Sequence, residues 1–412
     1  MTSRIAPLVA VAALAASLPA CKSEVACTSA QVASGGQCIS LQSDPANCGA
    51  VGRACAAGES CSAGLCCQGS QCPPAVYAAC FNGSAVQGAT AGAVAVGAPV
   101  EVESGPIALA WRGAGLWVAN SISNTLDRMT VSPAGLAADG AFPTVRIPTS
   151  GPFSDLEALA EKDGLLYVSN AALGTLLVVD PAQASPIVAE IALGSPYAYP
   201  QGIAFSATKA YVALNGTGAV AVVDLATRTL TRTIDLSALA STGGSPMPSR
   251  IVVSGGRAYV ALWNLDASYA PAGHGRLAVV DTVTDALLPG ANPIDLGAAC
   301  LDPAGLAVQG TTLWVSCGFF PYNAASAADV TGASLVPVDL SGAAPVVGTA
   351  VPVSLAAPGA IAFCGGVGWV ADRFSGDLLR FDPAARAVTT RGLVCAPLSG
   401  SSSFVADVAC GR

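Results

Sequence analysis

The stretch PQGIAFSATKAYVALNGTGAVAVVDLATRTLT, Pro200 to Thr231, holds a proline, a short apolar run (Gly202-Ile203-Ala204-Phe205), an aromatic run (Tyr211-Val212-Ala213), and an aspartate, Asp224, before a turn and a Thr-rich run. Apolar runs this short, bounded by Gly, Asn and Asp, read as β-strands. The order recurs along the chain. Tyr77, Trp117, Tyr167, Tyr211, Tyr259, Trp314 and Trp369 each open the same aromatic-small-small run, at intervals of 40, 50, 44, 48, 55 and 55 residues. Eleven residues before the aromatic stands Pro106, Pro200, Pro248, Pro303 or Pro358, with Leu156 in the third copy. Thirteen residues after it stands Asp180, Asp224 or Asp382, or else Thr90 or Thr130. Two copies reach their aspartate later, at Asp281 and Asp339, behind insertions of 9 and 12 residues. Each unit reads as four strands: A after the proline, B with the aromatic, C ending at the aspartate, and D after a turn that the aspartate side chain closes.

Four strands every 40 to 55 residues, repeated, predict an all-β chain folded as a β-propeller. There are seven aromatic strands, but the copy at Tyr77 has no strand A before it. Asp407-Val408-Ala409-Cys410-Gly411 matches Gly202-Ile203-Ala204-Phe205-Ser206. The C-terminal strand is therefore expected to complete the first blade, giving seven blades over residues 76–412 and no unpaired edge in the ring. Tyr167-Val168-Ser169-Asn170 and Trp117-Val118-Ala119-Asn120 resemble the Tyr-Val-Thr-Asn motif of YVTN-type propellers. That resemblance implies the fold and leaves the activity open, since propellers host many.

Ahead of the repeat the chain changes character. MTSRIAPLVAVAALAASLPAC has a basic residue, Arg4, an apolar Ile5 to Leu18 and small residues near Ala20. It reads as a signal peptide over residues 1–20. Leu18-Pro19-Ala20-Cys21 resembles the bacterial lipobox, which implies lipidation at Cys21 and, with Lys22 following, an outer-membrane address; plain secretion with Cys21 in a disulfide is the other reading. The chain holds 15 Cys. Eight lie between Cys27 and Cys72, in a stretch with no apolar periodicity, so disulfides must replace a core there. Residues 21–75 are expected to be a stapled, irregular stalk. Asp44 to Cys55 resembles a Cys-rich module of exported bacterial surface proteins. Six further cysteines sit in the repeat. Their offsets predict Cys300–Cys317 and Cys80–Cys395 at one face, the top, where strand A starts and strand B ends, and Cys364–Cys410 at the other.

Composition narrows the function. Only 11% of residues are charged, the net charge is −8, and no basic run occurs, so nucleic acid is not an expected partner. A mean hydropathy of +0.58 would suit a membrane protein, yet no run after the N-terminus approaches the length of a spanning helix. With one histidine, His274, and no nucleophile motif or phosphate loop, no catalytic constellation is expected. His274 itself reads as an exposed loop residue.

Two candidate sites remain at the top face. Asn120, Asn170 and Asp372 share the offset of aromatic plus three and are expected as a polar ring at the channel mouth, with Glu157 nearby. In metal-dependent lactonase-type propellers such residues hold a cation, and calcium is the ion this ring would take in that case. The other reading is solvated strand ends, since the remaining copies place Cys80, Leu214, Leu262 and Cys317 at this offset, and no metal or cofactor is expected. The insertions carry Trp263, Asn264, Tyr269 and His274 in one and Phe319, Phe320, Tyr322 and Asn323 in the other. Their aromatics read either as a loop cap packed on itself or as a surface for a protein or glycan of the cell envelope. The expected role is a lipid-anchored binding or scaffold protein. The rival is a cation-dependent propeller hydrolase or lyase.

Overall fold

Both faces of the strand Lys209–Leu214 are buried: Tyr211 and Ala213 pack toward one neighbouring sheet, and Ala210, Val212 and Leu214 toward the other. Successive side chains on a strand point to opposite faces, so a sheet sandwiched between two others needs apolar residues at every position. This is why the central strands are Ala- and Val-rich without alternation. A computed structural model describes residues 32–34, 37–40, 44–48, 51–62, 65–68, 74–132, 135–148, 155–321, 324, 326–354, 356–396 and 404–411.

The fold is a seven-bladed β-propeller. Strand A, strand B and strand C are, blade by blade, Val405–Cys410, Val76–Cys80 and Ala85–Ala89; Pro106–Arg112, Gly115–Asn120 and Thr125–Ser132; Leu156–Lys162, Leu165–Asn170 and Thr175–Val179; Pro200–Phe205, Lys209–Leu214 and Ala219–Asp224; Pro248–Ser254, Arg257–Leu262 and Arg276–Asp281; Pro303–Gln309, Thr312–Phe319 and Thr331–Asp339; Pro358–Cys364, Val367–Asp372 and Asp377–Asp382. The C-terminal strand pairs antiparallel with Val76–Cys80, Val405 opposite Cys80 and Cys410 opposite Val76, and so closes the ring. Strands A touch one another all round the central channel. One apolar cluster fills each of the seven blade interfaces, and every repeat aromatic faces the next blade in chain order.

Strand D departs from the expected single strand in three blades. In the second, fifth and sixth it is split, as with Ala286–Leu287 and Ile294–Asp295. Pro289 and Pro293 lie in the fifth-blade break and cannot donate to a ladder. Asn292 stands in for the missing strand: its Oδ1 accepts from the Val279 amide at 2.7 Å and its Nδ2 donates to the Val279 carbonyl at 2.8 Å. The repeat aspartates close their turns as read. Asp224 Oδ1 accepts from the Thr227 amide at 2.8 Å, Asp281 Oδ1 from Thr284 at 2.8 Å and Asp339 Oδ1 from Ser341 at 2.8 Å. These bonds hold the three carboxyls below their ordinary range.

Three disulfides staple the propeller: Cys80–Cys395, Cys300–Cys317 and Cys364–Cys410, the pairs read from the repeat offsets. The Cys-rich segment contains Cys48–Cys61 and Cys55–Cys66. It is not wholly irregular, for two small hairpins, Val32–Ser34 with Gln37–Ile39 and Glu59–Ser62 with Leu65–Gln68, lie within it. Cys21 lies outside the described residues. Among those residues no helix is long and apolar enough to cross a membrane.

Candidate ligand-binding site at the channel mouth

Every blade carries a bulge at the start of strand A. The residue at the proline position pairs with the residue three after the repeat aromatic, as in Pro106 with Asn120 or Pro200 with Leu214, and the register then slips. Proline has no N–H to give the ladder at that point. The slip turns the next side chains out of the sheet. The strands A also approach closely below it: a Cβ on Gly305 would stand 2.1 Å from the Gly359 carbonyl oxygen, so only glycine fits.

The bulge residues meet in a cavity of about 1060 Å³ at the top of the channel. Glu157, Gln201 and Arg250 form its inner wall, Tyr199 and Met247 precede the strand prolines beside them, and Tyr197, Trp263, Asp266 and Tyr269 rim it. Tyr197 is 83% exposed and Tyr269 68%. Tyr199 and Met247 hold left-handed φ angles of 45° and 44°. Backbone of that kind costs on the order of 1 kcal/mol or more per residue and gathers at ligand sites. A smaller hollow of about 400 Å³ adjoins it, lined by Phe320, Phe374, Phe404, Ile107 and Ala406. Arg250 and Arg373 line both.

A hydrogen-bonded chain of acids runs along the wall. Ser121 Oγ donates to Asp155 Oδ1 at 2.5 Å, Tyr199 Oη donates to Asp155 Oδ2, and the same Oη lies 3.2 Å from Glu157 Oε1. A phenol carries one proton and can satisfy one carboxyl. The second contact is satisfied when Glu157 is protonated and donates to Oη. The electrostatics agree: burial, then the charge of Asp155, push Glu157 up to about 7, against the pull of Arg250 and the Tyr199 hydrogen bond. Burial and the two carboxyls also push the Tyr199 hydroxyl far above its ordinary value.

The expected polar ring does not form. Asn120, Asn170 and Asp372 are fully buried. They stand an odd number of residues from the aromatic, so they face the preceding blade instead of the channel, as Leu214 and Leu262 do at the same offset. Asn120 Nδ2 donates to Thr125 Oγ1 at 3.0 Å and Asp127 Oδ2 at 2.9 Å. Asp372 Oδ1 accepts from the Ala357 and Phe374 amides, both at 2.9 Å, and its Oδ2 pairs with Arg391 at 3.1 Å. The insertion residues divide. Trp263 and Tyr269 line the large cavity and Phe320 the small hollow, edge-on to Phe374. Phe319, half-buried, extends strand B and pairs with Thr331. Asn264 is wholly buried and ties its loop to the next: its Oδ1 accepts from the Ser241 amide at 2.8 Å, and its Nδ2 donates to the His274 carbonyl at 2.7 Å. His274 Nδ1 sits 2.9 Å from Asp295 Oδ1, away from the cavity lining. Tyr322 and Asn323 lie outside the described residues. Asp155, Tyr199, Arg250 and Arg373 were not singled out in the sequence; their signal is position, one or two residues either side of the strand-A start, except Arg373, which follows strand B.

Among the described residues the one metal-sized cluster, Cys48, Cys55 and Cys66, is made of half-cystines. A family model, the stigma-specific STIG1-like protein family, matches residues 10–69, a span that includes the Cys-rich segment and stops short of the propeller. A search of curated proteins found no match. Among solved structures, the chain is similar to hydrazine synthase of Kuenenia stuttgartiensis, at 19% identity and a TM-score of 0.53 over 67% of this chain and 76% of that one. It is similar to a streptogramin B lyase at 14% identity and a TM-score of 0.51 over 79% and 88%. A protein from Lactobacillus plantarum aligns at 15% identity and a TM-score of 0.52 over 76% and 90%. Likeness at these identities is likeness of fold, which a binding protein and an enzyme share.

Proposed function

We propose that this is an exported, lipid-anchored binding protein of YVTN-propeller type whose channel mouth holds a glycan of the bacterial cell envelope. Residues 1–20 are the signal peptide, Cys21 carries the lipid at the outer membrane, residues 21–75 are the stalk and 76–412 the binding domain. The disulfides support an oxidising compartment. The observation that carries the reading is the cavity, with Trp263, Tyr197 and Tyr269 on its rim and hydrogen-bonding side chains on its wall. Aromatic faces stack on sugar rings, and paired polar groups take hydroxyls. Titration of envelope glycan fragments into residues 76–412 tests it. Trp263→Ala with Tyr269→Ala should weaken binding about tenfold or more; unchanged affinity would reject the cavity as the site.

A second reading, a propeller hydrolase or lyase, is favoured by Glu157 alone. A protonated carboxyl beside a cavity is placed to act as a general acid. The side chains read as a cation ring are buried between blades, away from the cavity lining, so this reading passes from the cation to Glu157. Turnover of glycan or lactone substrates that disappears in Glu157→Gln would favour it.

A further inference from the structure

Arg250 is one of several half-buried arginines in no ion pair among the described residues, with Arg228, Arg257, Arg276 and Arg380, and of these it alone lines the two hollows at the channel mouth. The other arginine there, Arg373, is paired with Asp302 at 3.0 Å. Arg250 has one hydrogen bond among the described residues, Nε to the Ala304 carbonyl at 3.4 Å. That bond fixes the stem and leaves both terminal nitrogens of the fork open where the two hollows meet. The acids that feel its charge are Glu157 and Asp407. Burial raises both toward the neutral form, and Asp407 is further engaged by the Leu109 amide at 2.8 Å. The positive charge of Arg250 is thus under-compensated in a partly desolvated place, where a guanidinium fork binds a carboxylate in two parallel hydrogen bonds.

We propose that the ligand of this cavity carries a carboxylate that Arg250 receives, so that the preferred glycan is an acidic one, built from sugars bearing a carboxyl group. The inference rests on the glycan reading and adds the substrate class. Tyr199 and the aromatic rim take the sugar rings, and Arg250 selects the acid.

The test uses oligomers of galacturonate, alginate and hyaluronate, each as the free acid and as its methyl ester, titrated into the full exported chain. The ester keeps the ring and removes the charge. Wild type should prefer at least one acid over its ester by about tenfold, the order expected of one charge-assisted pair. Arg250→Gln should abolish that preference, acid and ester then binding alike, and Arg250→Lys should restore part of it. Circular dichroism checks that the variants fold; if Arg250→Gln does not, the acid-to-ester ratio of the wild type decides alone. Equal binding of acid and ester, or a preference that survives Arg250→Gln, overturns the proposal and leaves the glycan reading standing. Binding of neither form of any oligomer overturns both.

Discussion

Removing Cys80–Cys395 should cost more stability than removing any other propeller disulfide, because of the chain it closes. The three bridges span 315, 46 and 17 residues for Cys80–Cys395, Cys364–Cys410 and Cys300–Cys317. In the chain-entropy model these loops confine the unfolded state by about 6, 4 and 3 kcal/mol at 25 °C. The local cost of substitution is similar for the first and third pairs, whose four cysteines are all buried. Each pair is replaced by alanine with the other bridges kept oxidised, and urea unfolding is followed by tryptophan fluorescence. All five tryptophans lie in the propeller, so the signal is blind to the stalk. The expected order of loss is Cys80/Cys395, then Cys364/Cys410, then Cys300/Cys317. The denaturant slope should rise most for the first pair, since its unfolded chain expands most. A Cys300/Cys317 variant that loses as much as the Cys80/Cys395 variant, with equal slopes, would refute the entropic account of ring closure.

Glu157 predicts a pH signature. Its carboxyl sits at about 7 when folded against an ordinary 4.5, so wild-type stability falls as pH climbs through that window, by roughly 3 kcal/mol in all. Glu157→Gln should therefore be the more stable protein at pH 8 and no more stable at pH 4.5; urea midpoints that show no such gap would count against a protonated Glu157. The turn aspartates Asp224, Asp281 and Asp339 act with the opposite sign: their carboxyls are held low, so their contribution is complete above about pH 4 and fades in stronger acid. Asn264→Ala should cost about 3 kcal/mol, because the Ser241 amide and the His274 carbonyl lose their partner, and should open residues 263–275 to protease; a variant as resistant as wild type would show that the loop is held by something else.

The fold was legible because a propeller repeats its instructions. Burial on both faces writes Tyr211-Val212-Ala213 and its relatives seven times, and an unpaired Tyr77 strand points to the C-terminus for its partner. The polar ring was misplaced by a parity argument that the sequence does contain. Aromatic plus three faces the preceding blade, and the cysteines and leucines at that offset in other copies already behave as interface residues. Asn264 misled for another reason: a polar residue in an insertion looks like surface, while here it replaces the hydrogen bonds that two irregular loops cannot make for themselves. Of the charged wall only Glu157 was expected near the channel mouth; Asp155, Tyr199 and Arg250 were hidden because the members are dispersed over three blades and come together only through the bulge.

That bulge explains why a site is found at this end of the channel. The residue at the proline position is fixed by its pairing with strand B, and the residues around it are not. Seven copies of one strand start therefore present seven places where a side chain can change without disturbing a blade interface. The chain uses them unevenly. Blades three to five place Glu157, Gln201 and Arg250 there, while blades one, two and six place Ala406, Ile107 and Ala304. The third blade, which carries Leu156 in place of the proline, keeps the bulge and holds Asp155 and Glu157 on either side of it. Chemistry enters where the repeat is broken, on a backbone that the break does not alter. The outcome is a channel mouth with Glu157 and Gln201 on one side and Ile107 and Ala406 on the other, and with Arg250 and Arg373 lining both hollows.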